Sequence, residues 1–151
     1  MLKCLAAFYM LCCSAVSATA CSMAVTTTTE NFTNADLVFV AHVFRLEEIG
    51  RDVNLPENVM PMSDLNASFR LIDSIKGDAP RSGMVESSSA NCFVPLVPGD
   101  YVIFADRDDS GRMTVLTIPE GTRWYSDHAE KSIEYVKALK RLSSTGIPHK
   151  P

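Results

Sequence analysis

From Asp36 onward the chain alternates in the manner of strands. The segment DLVFVAHVFRLEEI, Asp36 to Ile49, puts Val38, Val40 and His42 on one face and Phe39, Ala41 and Val43 on the other. That two-residue period predicts one long strand. Residues Gly50 to Asp64, with Asn54, Pro56 and Pro61, read as a loop. NASFRLIDSIKG, Asn66 to Gly77, sets Phe69, Leu71, Asp73 and Ile75 against Ser68, Arg70, Ile72 and Ser74, and predicts a second strand paired with the first. GMVESSS is a weaker third strand that leads to Cys92. GDYVIFAD and RMTVLTI flank RDDSG, a hairpin signal with Gly111 placed for a positive backbone angle. The alternative for this acidic cluster, a calcium loop, fails because Thr117 stands where the closing Glu is needed.

The period changes only near the C-terminus. Ala129, Ile133, Val136, Leu139 and Leu142 recur at helical spacing, and Gly146 and Pro148 stop the run. Ser126 or Asp127 is the expected cap, with Glu130 three residues after Asp127 as in a capping box. The helix is expected to lay its apolar stripe on the sheet, with Trp124 and Tyr125 either anchoring it or, as an exposed aromatic pair, serving a partner surface. Upstream, ENFTNAD is compatible with one helical turn. Five short strands, one closing helix and long loops predict a mainly β fold, a small antiparallel barrel.

The first twenty residues read differently. Lys3, an apolar run from Leu5 to Val16, and Ala18-Thr19-Ala20 before Cys21 have the order of a secretory leader. The expected division is a signal peptide over 1–20 and one domain over 21–151. The expected destination is secreted or extracellular, or periplasmic in a Gram-negative bacterium. The alternative is lipidation of Cys21, although Ala18 stands where a lipoprotein signal normally has Leu. No segment is apolar for long enough to span a bilayer.

That cut reduces five cysteines to two, Cys21 and Cys92, a number that suits one bridge in an oxidising compartment. Closing such a loop is worth about 4 kcal/mol in the chain-entropy model. Without Lys3 the chain has 13 basic against 18 acidic residues, a net charge of −5, which argues against nucleic acid as partner. His42, His128 and His149 are scattered, and no catalytic or metal-ligating constellation emerges, so a non-enzyme without a cofactor is expected. Two sequons, Asn31-Phe32-Thr33 and Asn66-Ala67-Ser68, are candidate glycan acceptors in a eukaryotic source.

Taken in order, Cys21, NFTNADLVF, SIKGD, Cys92 after a Ser-rich strand, and YVIFADRDDSGRMTVLTI before a terminal helix resemble the tissue inhibitors of metalloproteinases and the wider netrin-like domains. The likeness spans nearly all of residues 21–151. It implies an OB-fold-like five-stranded antiparallel Greek-key barrel with a C-terminal α-helix, and a Cys21–Cys92 disulfide. It further implies that the α-amino nitrogen and carbonyl oxygen of Cys21 chelate the catalytic zinc of a target protease. Ser22 would enter that protease's specificity pocket, with Met23 beside it, and Ser88, Ser89, Ala90 and Asn91 would form a second contact strip. The zinc belongs to the target, and the expected partner is a protein bound by a monomer. Met23, Ile118 and Thr33 occupy places where the inhibitors carry further cysteines, which leaves one bridge. The alternative function is a non-inhibitory netrin-like interaction or structural module.

Overall fold

The computed structural model describes residues 26–49, 64–88, 96–116 and 121–145. Strand β1 (Leu37–Ile49) is buried on both faces through its first half, as its unbroken apolar run requires. Phe39, Ala41 and Val43 point into the barrel, where they meet Phe69, Val85, Tyr101 and Ile103. Val38 and Val40 point the other way, into a second core with Phe32, Val102 and Phe104. One strand thus serves two apolar layers, and the predicted alternation of β1 is the observed one.

Strands β2 (Asp64–Lys76), β3 (Ser82–Ser88), β4 (Gly99–Arg107) and β5 (Met113–Val115) follow, with a short β6 (Arg123–Trp124) against β4. Their order is β1-β2-β3-β5-β4, and antiparallel pairing of β1 with β4, from Leu37↔Ala105 to Val43↔Gly99, closes the cylinder. This is a closed five-stranded, OB-fold-like barrel, as expected. Its one parallel contact, Val85↔Met113 and Glu86↔Thr114 between β3 and β5, makes the barrel mixed where antiparallel pairing alone was expected.

The predicted faces of β2 hold only in part. Phe69 lies in the barrel interior with Leu71 packed against it, yet Ile75 belongs to the opposite core and Asp73 reaches Lys140 at 2.6 Å. The cause is a register shift: Val40 pairs with Asp73 and Ala41 with Leu71, which leaves Ile72 as an extra residue. A bulge of this kind exchanges the two faces of a strand. Ile72 is left half-exposed.

Helix α1 (Thr28–Asn34) is longer than the single turn expected. It begins in a complete capping box, in which the Thr27 hydroxyl accepts from the Glu30 N–H and Glu30 accepts from the Thr27 N–H. Helix α2 (Glu130–Ser144) packs Val136 and Leu139 on the second core, with Tyr135 and Leu142 at its margin. The expected cap of α2 is corrected: Ala129 is the N-cap residue, with no side-chain bond. Ser126 instead closes the preceding turn, accepting at its carbonyl from the Ala129 N–H and at its hydroxyl from the His128 N–H. The β4–β5 hairpin forms at RDDSG with Gly111 at φ 82°, as predicted. The Asp108 carboxylate, expected in a turn rather than a calcium loop, accepts from the Ser110 hydroxyl and from the Ser110 and Arg112 N–H groups.

Among the described residues, no helix is long and apolar enough to cross a membrane.

Candidate functional site

The residues singled out from the sequence cluster at two places in the chain. Cys21, Ser22 and Met23, and likewise Ser89, Ala90, Asn91 and Cys92, lie outside the described residues. So do residues 1–20, expected from the sequence to be a leader. Ser88 ends β3, its backbone opposite Asp64 of β2. What the structure does define is the framework on either side of these segments.

Two buried points stand in the chain on either side of the expected contact strip. Before it, Ser87 is buried within β3. After it, Leu96 is fully buried in the barrel core, and the Val97 N–H donates to the Tyr101 hydroxyl at 3.0 Å. Burial pushes the Tyr101 phenol above its ordinary pKa, with the Val97 N–H acting in the opposite sense. Eight residues, 88–95, separate Ser87 from Leu96 in the sequence.

Upstream, the segment that follows Cys21 runs into α1, and α1 is fastened by one buried cation. The Lys76 ammonium donates to the carbonyls of Phe32, Thr33 and Ala35 at 2.7, 3.0 and 2.6 Å, and lies 5.3 Å from the centre of the Phe32 ring. Three N–H groups thus meet three carbonyls left without intrahelical partners at a helix C-terminus, the end where a positive charge is favoured. Burial lowers the lysine's pKa, while Asp36 and Asp106 nearby act to raise it. Asp36 also accepts from the Arg107 N–H at 2.9 Å, tying the start of β1 to the end of β4. The sequence marked Lys76 only as part of SIKGD at a strand end. A cation at the last position of a strand, followed by Gly and Asp, is the signal available.

A third feature lies where β4 begins. Trp124, read from the sequence as an anchor for the terminal helix, instead stacks on Tyr101 with ring centres 4.5 Å apart and remains half-exposed. Its neighbour Tyr125 does pack at the helix-side core. The indole lies directly on Gly99, whose φ is 153° and where an added Cβ would stand 2.2 Å from the ring. Glycine is therefore required at that position for the ring to sit there. One register position away, His42 Nδ1 and Asp100 Oδ1 are 2.6 Å apart, and both side chains are part-exposed. His42 is thus a partnered, partly exposed histidine of the barrel surface. Among the described residues no group of three His, Cys, Asp or Glu side chains is placed to hold a metal ion.

No known family model matches the chain, and no curated protein matches it in sequence.

Proposed function

We propose that this protein is an exported inhibitor-like binder of zinc metalloendopeptidases, a reduced-disulfide relative of the tissue inhibitors of metalloproteinases. The barrel carries the reading: a closed five-stranded, OB-fold-like barrel with a C-terminal helix is the architecture that the resemblance implies. Function does not follow from fold, so the reading stands on the chemistry of the chain terminus. An α-amino group has a pKa of about 8, low enough for a metal to displace its proton and take the lone pair. The Cys21 amine and carbonyl would replace water at the open position of a catalytic zinc. A bridge to Cys92 would fix those two atoms and lower the ordering cost of binding.

Chain length allows arms of some reach for that bridge. Cys21 lies six residues before Thr27 and Cys92 four after Ser88. At about 3.4 Å per residue these arms reach about 20 and 14 Å, comparable with the radius of a domain of this size. Ser22, Met23 and the strip Ser88 to Asn91 would then share one contact surface.

Intact mass and N-terminal sequencing of the exported protein test the first step. The expected product begins at Cys21 with a free amine and is two hydrogens lighter than the dithiol. That product should inhibit at least one member of a panel of secreted zinc endopeptidases, and acetylation of the Cys21 amine should abolish the inhibition. Inhibition that survives acetylation rejects the mechanism. The second reading is a non-inhibitory netrin-like module, favoured by Met23 and Ile118 in place of cysteines. It predicts the same mass and bridge with no inhibition across the panel, or an acylated Cys21.

A further inference from the structure

Both sequons fit the acceptor triplet, and the fold places them oppositely. Asn31 lies within α1 at 1% exposure, beside Phe32, whose ring packs into the helix-side core. A glycan on its amide nitrogen would have to leave through that packing, which displaces α1 from the barrel. Asn66 is placed the other way. Its chain neighbour Ala67, and then Phe69, point into the barrel at 0% exposure. By the two-residue period of a strand, Asn66 and Ser68 therefore point outward. Asn66 is paired through its backbone with Glu47 on one side and Glu86 on the other, so a substituent on its side chain breaks no ladder bond.

It also has somewhere to go. Asn66 lines a shallow open depression of about 580 Å³, together with Ile49, Met84, Glu86, Arg112 and Met113. Met84 is 55% exposed there, apolar surface that a sugar can cover. The depression is flanked by acceptors and donors suited to hydroxyl groups, the Glu86 carboxylate and the Arg112 guanidinium, which stand 3.8 Å apart.

We infer that Asn66, and not Asn31, is the N-glycan acceptor of this chain, and that the glycan occupies the outer face of β1–β3. The inference rests on export through a eukaryotic secretory pathway and is independent of protease inhibition. In the transfer, the Asn66 amide nitrogen bonds to C1 of the reducing-end N-acetylglucosamine of a polyprenyl-diphosphate-linked oligosaccharide. The C1–O bond to diphosphate breaks, the polyprenyl diphosphate departs with the bonding pair, and the amide gives up one proton. The Ser68 hydroxyl completes the acceptor triplet.

The full chain expressed in insect or mammalian secretory cells decides it, with medium and cell fractions both assayed by intact mass before and after peptide N-glycosidase treatment. The expected result is secreted protein carrying one glycan, mapped to Asn66 by its conversion to Asp. Asn66→Gln and Ser68→Ala should each lose that glycan, and Thr33→Ala should retain it. Secreted protein that is unmodified at Asn66, or glycosylated at Asn31, overturns the inference while leaving the export reading intact. A chain that never enters the secretory pathway overturns both.

Discussion

Replacing Lys76 by Met removes the ammonium and keeps most of the aliphatic stem. The carbonyls of Phe32, Thr33 and Ala35 then lose their donor in a site where the lysine is only 7% exposed. A buried acceptor left without its bond costs about 1–3 kcal/mol. Taking the low end for three acceptors gives a loss of about 3 kcal/mol. Part is returned, because an ammonium no longer has to be desolvated, the same burial that lowers the pKa of Lys76. The net expectation is a destabilisation of about 2 kcal/mol. For a domain of this size that lowers Tm by about 8 °C. Lys140→Met is the control, since its bond to Asp73 is as short but half-exposed, and such pairs are worth about 0–1 kcal/mol. Urea titration followed by circular dichroism gives the stability, and amide exchange locates it: protection in α1 should fall well below that of β1 and β4. The pH dependence carries a sign. With the folded pKa below the unfolded one, the unfolded chain binds more protons in the alkaline window between them, so stability rises with pH there. That slope should vanish in Lys76→Met. A variant with parental Tm and unchanged α1 protection would refute the idea that this lysine fastens the helix.

Three further outcomes are expected. Gly99→Ala sets a Cβ against the only tryptophan in the chain, so the indole must leave Tyr101; its fluorescence maximum should move to the red and stability fall by about 1–3 kcal/mol, and an unchanged spectrum would contradict the stacking. Leu139→Ala opens a cavity under α2 and should cost about 2–5 kcal/mol by denaturant titration, with Lys137→Ala on the exposed face costing under about 0.5. Glu30 and Asp108 are held below the ordinary carboxylate pKa, Glu30 chiefly by the Thr27 N–H and Asp108 chiefly by the Ser110 hydroxyl. The stability each adds is present above about pH 4 and lost as pH falls through the lowered folded value, so Glu30→Gln and Asp108→Asn should shrink the acid-side slope of a Tm-against-pH curve, with parental slopes as the contrary result.

Much of the barrel is legible from residue order because its signals are local. The run Leu37 to Val43 is apolar at every position but His42 and rich in β-branched and aromatic residues, which suits a strand buried on both faces. RDDSG has its turn residues in the order a hairpin needs, and Val136, Leu139 and Leu142 fall on one helical stripe. The exchange of faces within β2 is not local. It arises where Val40 and Ala41 pair with residues two apart, and nothing in RLID announces that Ile72 is the one left over. The α2 cap differs from expectation because Ser126 bonds within its own preceding turn, to the His128 and Ala129 N–H groups. Of the candidate site, the chain order gave Cys21, Cys92 and the residues beside them, and the fold added what stands on either side, Lys76 under α1 and Leu96 with Tyr101 beyond the strip.

What the sequence by itself determined was the succession of periods: strands, a hairpin, and one amphipathic helix, each set by neighbours two to four residues apart. Tertiary structure alone decided closure through β1–β4 and β3–β5, the burial of Lys76 beneath α1, the seat of Trp124 on Gly99, and which of the two sequons faces water. Each of these depends on groups far apart in the chain meeting at a particular register, and register is a property of pairs of strands rather than of either strand alone.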